Sequence, residues 1–187
     1  MAYTSIVFQT LGSRRVKMFA ISYRIINYTN ELPIGADGYI RFDCGKYHYG
    51  EIFPPELDLV MDISSIYGWI QALIKAAELI NEEIPYILIR DIESYNTYLQ
   101  FRFQGNQAAI GIVRADHMMS NYFDIYRVGS FESQMGELLW EYTAKTQTVV
   151  YEIRRVATQY CDEIMQWPQN MTYVNELTDQ IKRILCN

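Results

Sequence analysis

The sequence predicts an α+β fold: a mainly antiparallel sheet of about five to seven strands with one crossing helix, then a long C-terminal helix and a final short helix. Three observations carry that prediction. Short runs over the first part of the chain alternate apolar and polar residues, the C-terminal part changes to a three- and four-residue period, and the links between successive predicted strands are too short for parallel crossovers. No internal repeat and no Pro/Gly/Ser-rich linker divides the chain. Residues 1–187 therefore read as one domain, sheet-rich over 1–128 with a helix at 65–81, and helical over 130–187.

The strands follow in order. A short one is expected around Ser5–Gln9, with Gly12-Ser13-Arg14-Arg15 as the turn after it. From Met18 to Tyr28, Phe19, Ile21, Tyr23 and Ile25 alternate with Ala20, Ser22, Arg24 and Ile26, the period-2 pattern of a half-buried strand. Gly38 opens the next, in which Ile40, Phe42 and Cys44 share one face, and Gly45-Lys46 turns it into Tyr47–Ile52. Pro54-Pro55 ends this hairpin, because proline cannot donate to a ladder. Further strands are expected at Tyr86–Arg90, Thr97–Gln104, Gln107–Arg114 and Tyr122–Val128, with Gly105-Asn106 as a hairpin turn.

Helices are marked by caps and spacing. Ser64 or Ser65 can cap a helix in which Ile66, Trp69, Ile70, Leu73, Ile74, Ala77 and Ile80 form one apolar face. A single stripe then runs from Met135 through Leu138, Tyr142, Val149, Ile153 and Tyr160 to Met165, and predicts one helix over 132–166, roughly 50 Å long if unbroken. Trp167-Pro168 stops it, and Val174, Leu177, Ile181 and Ile184 mark the last helix. A stripe of that length has to pack on the sheet, on the final helix, or on a second copy of the chain, so a homodimer through this helix is one expectation.

Composition narrows the function classes. Half of the residues are hydrophobic and a fifth are charged, enough for a core and unlike a disordered chain. No apolar run approaches the 18 or so residues that span a bilayer, and the N-terminus shows no signal-peptide pattern, so a cytoplasmic location and no membrane partner are expected. Cys44, Cys161 and Cys186 are odd in number and unclustered, a poor disulfide framework. On that expectation the two glycosylation-like strings, Asn27-Tyr28-Thr29 and Asn170-Met171-Thr172, are accidents of composition. Net charge is −6, and it is distributed unevenly: residues 51–100 hold two Lys/Arg against nine Asp/Glu, while residues 1–50 hold six against three. An acidic middle argues against nucleic acid and is compatible with a basic partner.

No chemical motif stands out. Gly-x-Gly-x-x-Gly, the phosphate loop, Gly-x-Ser-x-Gly and His-Glu-x-x-His are all missing from the sequence, and no cofactor or metal is implied. Cys44 and His48, four apart across a turn, could join His117, Cys161 and Cys186 around zinc, or act as nucleophile and base, but the predicted strand points Cys44 into the core, where a thiol is inert. Asp91, Glu93, Asp116 and His117 lie at predicted strand ends and could do acid–base work; solvated charges are the plainer reading. A small-ligand or hydrolytic pocket between sheet and helices, using Glu93, Asp116 or His117, is therefore the alternative to a non-enzymatic protein.

Tyrosine is the compositional signal that remains. There are sixteen, among them Tyr39, Tyr47 and Tyr49 in the first hairpin, Tyr95 and Tyr98 before the second, and Tyr122 and Tyr126 on the predicted final strand. Tyrosine suits interfaces and half-exposed sheet faces alike. The layout from Gly38 to Ile80 (hairpin, Pro-Pro break, acidic segment, Trp69-x3-Leu73 helix), followed by the Tyr98–Phe103 and Ala109–Val113 hairpin, resembles that of uncharacterised bacterial α+β proteins found as immunity partners of polymorphic toxins. The resemblance implies a cytosolic, non-enzymatic protein that binds and blocks a toxin domain, often a basic nuclease. The contact residues expected from the sequence are Tyr47, Tyr49, Glu51, Glu56, Asp58 and Asp62.

Overall fold

A computed structural model describes residues 18–26, 33–58, 61, 63–91, 94, 96–115, 125–127 and 136–185. The expected strands at Ser5–Gln9 and its following turn lie outside these residues. The fold is α+β, and its strands form two antiparallel sheets where the sequence suggested one. In the first sheet β1 (Phe19–Ile25), β2 (Asp37–Cys44) and β3 (Tyr47–Tyr49) run in chain order, and the short β4 (Ser64–Ser65) pairs with the start of β2. The second sheet contains β5 (Tyr86–Arg90), β6 (Thr97–Gln104), β7 (Gln107–Arg114), β8 (Ile125–Arg127) and β9 (Glu137–Lys145), in the order β8-β5-β6-β7-β9.

Among the described residues there are three α-helices: α1 (Ile66–Asn81) and α2 (Thr146–Ile164) pack on the sheets, and α3 (Met171–Leu185) packs on α1 and α2. The Ser65 hydroxyl caps α1 by accepting from the Gly68 amide at 3.2 Å. The apolar face of α1 meets Phe42 of the first sheet, where the Phe42 and Trp69 rings lie 5.2 Å apart, and shares one core with Ile87, Ile89, Leu99 and Phe101 of the second. Phe19 stands edge-on to Phe101 at 6.5 Å, a direct contact between the sheets. Gly38 has no room for a side chain, because a Cβ there would fall 2.1 Å from the Arg24 carbonyl oxygen and 2.5 Å from the Ile66 side chain.

The helix expected over 132–166 needs correction. Its first part, Glu137–Lys145, is strand β9, paired with β7 from Gln107↔Lys145 to Arg114↔Glu137 with a bulge beside Ile112/Val113. The helical stripe through Leu138 and Tyr142 is real as a spacing, yet Trp140, Tyr142 and Ala144 also alternate. The partner strand β7 decides between the two periods, since pairing satisfies the backbone while aromatic and β-branched residues suit a sheet. Helix α2 therefore starts only at Thr146. Its Val149 and Ile153, the residues expected to join two copies, are fully buried in the chain's own core.

Among the described residues β1 lies at the edge of its sheet, and α2 covers that edge. The Ile21 amide donates to Glu152 Oε1 at 2.7 Å, and Arg155 Nη2 donates to the Ile21 carbonyl at 2.7 Å. The two side chains also pair with each other, Arg155 Nη2 to Glu152 Oε1 at 2.7 Å and Nε to Oε2 at 2.8 Å. Together they serve the backbone groups of Ile21 as a neighbouring strand would. Asn170 does similar work at the other end of α2. Its amide receives from the Ile34 amide at 2.8 Å and donates to the carbonyls of Ile34 and Ile164, with no exposure to solvent. Asn170, the first residue of the Asn170-Met171-Thr172 string, is thus a buried clamp in this fold, while Met171 and Thr172 are exposed. Replacing Glu152 by Ala leaves the Ile21 amide and the Arg155 guanidinium without that acceptor, and should cost about 2 kcal/mol, read as a lower urea midpoint with an unchanged slope. An unchanged midpoint would show that water satisfies the β1 edge equally well.

Candidate functional site

The chain between β3 and β4 leaves the first sheet at Gly50 and returns at Ser64. Pro54 and Pro55 keep it from extending β3, and Pro55–Leu57 forms a single 3-10 turn, closed by the Leu57 amide on the Pro54 carbonyl at 3.0 Å. Gly50 makes the departure possible. Its φ is +75°, and a Cβ at this position would fall 2.2 Å from the Ile40 carbonyl oxygen.

Arg24 of β1 pins this segment. Its Nε donates to the Phe53 carbonyl at 2.9 Å, its Nη1 donates to Asp58 Oδ2 at 3.0 Å, and its Nη2 donates to Asp58 Oδ1. The guanidinium also lies over the Tyr39 ring, 5.0 Å from its centroid, and Tyr39 meets Phe53 edge-on at 5.2 Å. A planar, two-pronged donor of this kind fixes both the position and the orientation of what it binds. Asp58 is only 4% exposed, so its carboxylate serves as the anchor of the segment. The outward side is different. Glu51 is 46% exposed and pairs with Arg41 Nη1 at 3.3 Å, Glu56, five residues further on, is exposed, and Leu57 and Ile63 are each 36% exposed.

At the two ends of the segment is a cleft of about 210 Å³ lined by Ile40, Phe42, Tyr49, Gly50, Ser64, Trp69 and Asp91. The Tyr49 hydroxyl donates to Asp91 Oδ2. Burial, and then the neighbouring Asp91 carboxylate, raise the Tyr49 phenol well above its ordinary pKa, so it remains a neutral donor.

The expected contact residues divide into three groups. Glu51 and Glu56 face solvent. Tyr47 and Tyr49 turn inward, Tyr47 stacking on Trp140 of β9 at 5.4 Å, and Asp58 is the buried anchor. Asp62 lies outside the described residues, as do Glu93, Tyr95, Asp116, His117, Tyr122 and Cys186. Parity across the two-residue turn at Gly45-Lys46 sets the direction of the tyrosines: Cys44 is opposite Tyr47 and Phe42 opposite Tyr49, so both share the core face already assigned to Cys44. His48 pairs with Asp43 on the other face and reaches toward Glu51 Oε2 at 3.7 Å. Cys44 and His48 therefore cannot share a metal or a proton. Among the described residues no group of three His, Cys, Asp or Glu side chains could hold a metal ion, and no helix is long and apolar enough to cross a membrane.

Sequence reasoning did not single out Arg24, Trp69 or the Tyr49–Asp91 pair as site residues. Arg24 sits at an outward position of a half-buried strand, where arginine is ordinary, and only the fold brings it to Asp58 across 34 positions.

Burial pushes the Cys44 thiol up to about 12 and the Cys161 thiol up to about 11. Native protein at pH 8 should thus show at most one rapidly reacting thiol with Ellman's reagent, and all three after unfolding in urea. Two or three fast thiols would contradict the packing around β2 and α2. No protein-family model matches this sequence, and comparison with curated proteins and with solved structures likewise finds no match.

Proposed function

We propose that this chain acts by binding another protein, without chemistry of its own, and that the segment between β3 and β4 is its recognition surface. One observation carries the reading: Arg24 holds the segment by its inner side, through Phe53 and Asp58, while Glu51, Glu56, Leu57 and Ile63 face outward. A loop fixed on a rigid scaffold gives up little conformational freedom when it binds. Mixed acidic and apolar side chains suit a basic partner, steered by charge and then held by desolvated contacts. This role fits the resemblance to immunity proteins, in which the partner would be a basic toxin domain and the location cytoplasmic. Of the other contacts offered by the sequence, Asp58 anchors the segment through Arg24, whereas Tyr47 packs on Trp140 and Tyr49 bonds Asp91.

The alternative of a ligand-binding or hydrolytic pocket has less support. The cleft of about 210 Å³ is smaller than sites for drug-sized ligands, which occupy about 300–1,000 Å³.

Charge reversal tests the proposal. With a basic protein captured on the tagged chain, Glu51→Lys together with Glu56→Lys should slow association about tenfold at low salt and flatten its salt dependence, while dissociation changes little. An unchanged association rate would remove this surface from the interaction.

A further inference from the structure

Among the described residues, strand β9 ends the second sheet: the order β8-β5-β6-β7-β9 gives it β7 on one side and no described strand on the other. That other side carries a defined set of backbone groups. The Thr146 amide donates to the Asn106 carbonyl at 2.9 Å, and in the same ladder Ala144, Tyr142 and Trp140 stand opposite Ala108, Ile110 and Ile112. Antiparallel residues alternate in the side to which both main-chain groups point, so those of Glu141, Thr143 and Lys145 point away from β7. Thr143 and Lys145 are exposed, and the bulge at Ile112/Val113 lies beyond Trp140 and leaves this stretch regular. Proline, or charge directed over the edge, commonly guards such a strand. No proline interrupts Glu137–Lys145, and its central charge is drawn aside. Glu141 accepts from Gln100 Nε2 at 3.2 Å and from Arg102, both on β6, by lying across Gly111 of β7. A Cβ on Gly111 would fall 3.0 Å from Gln100 Nε2, so glycine there keeps the crossing open.

We propose that this edge pairs with the same edge of a second copy of the chain, antiparallel about a two-fold axis at Thr143, so that the two five-stranded sheets become one. The strand is complementary to itself in that register. Glu141 faces Lys145 of the second copy, Lys145 faces its Glu141, and Thr143 faces Thr143; opposite charges and paired threonines both favour cross-strand contact. All three outward residues then meet outward partners without reaching the bulge, for about six main-chain hydrogen bonds. Moving the axis to Glu141 would set like charges opposite each other and draw Leu139, at the bulge, into the ladder. Charge therefore selects both the occupant and the register, and Lys145, a guard in the single chain, becomes a contact in the pair. Leu138 and Leu139, 47% and 39% exposed, lie just past the ladder, where α2 of the second copy begins, and add the apolar area that a short ladder lacks. The homodimer expected through a helix over these residues is thus assigned to backbone pairing of a strand. None of them belongs to the segment between β3 and β4, so the proposal stands apart from the protein-binding reading.

Sedimentation equilibrium of the full chain, from about 1 to about 200 µM, tests it and should show a reversible monomer–dimer equilibrium. Thr143→Pro removes an amide that faces away from β7, so the β7–β9 ladder is kept while the ladder between copies is broken. The dissociation constant should rise about tenfold or more. Lys145→Glu sets like charges opposite each other at Glu141 and should weaken the dimer about tenfold at low salt and less at high salt. Its exposed side chain keeps the proposal testable if the proline variant fails to fold. A monomer at every concentration would overturn the pairing, and slow exchange of the Thr143 and Lys145 amides in that monomer would assign the edge to another part of the same chain. A dimer that neither variant weakens would overturn it as well, because its contact would then lie away from β9.

Discussion

Strand β1 lies between β2 and helix α2, and its outer edge presents the Ile21 amide and carbonyl to a helix instead of to another strand. Buried backbone groups need partners, and a helix has no main-chain groups to offer sideways. Glu152 and Arg155, one turn apart on α2, meet that requirement with side chains. The pair serves both groups of Ile21 and neutralises its own charges at once. Tyr23, two residues further along β1, faces the same helix and donates to Glu163 at 2.9 Å, and its ring is edge-on to Tyr160 at 5.7 Å. Burial, reinforced by the Glu163 carboxylate, keeps that phenol neutral. The seating of β1 on α2 is thus fixed by polar contacts of defined direction, where apolar packing alone would tolerate a slide.

That seating determines what Arg24 can reach. Arg24 is next to Tyr23 on β1 and points to the opposite face, toward Tyr39, Phe53 and Asp58. A shift of β1 along α2 would carry the guanidinium away from the segment it holds. Core packing, edge satisfaction and recognition surface therefore form one sequence of dependencies: α2 places β1, β1 places Arg24, and Arg24 places the residues between β3 and β4. The cleft belongs to the same arrangement, since its lining includes both ends of that segment, Gly50 and Ser64, together with Trp69 of α1 and Asp91 after β5.

Much of the fold was legible in the residues. β1, β2 and the β6–β7 hairpin appear where period-2 alternation placed them, and α1 follows the Ser65 cap and the apolar spacing from Ile66 to Ile80. The misreading at 132–166 has a plain cause. Residues 135–145 satisfy a helical and a strand period together, and only the presence of β7 as a partner, a long-range fact, chooses the strand. The division into two sheets was hidden for the same reason, because strand partners are set by tertiary contacts that local pattern does not encode. At the site, acidic Glu51 and Glu56 could be read from charge distribution. The inward turn of Tyr47 and Tyr49 was also available, through parity across Gly45-Lys46. Arg24 with Asp58, and Tyr49 with Asp91, were not, since each pair joins positions far apart in the chain.

The central claim is that Arg24 pre-organises the segment between β3 and β4, and amide hydrogen exchange measures it most directly. The Leu57, Asp58 and Met61 amides are bonded to the carbonyls of Pro54, Pro55 and Leu57 within that segment. In Arg24→Met these amides should exchange about tenfold faster or more, while the Ile87 and Ile89 amides of β5 keep their protection. Unchanged exchange at Leu57, Asp58 and Met61 would contradict the account, because the segment would then hold its shape without the residue said to hold it.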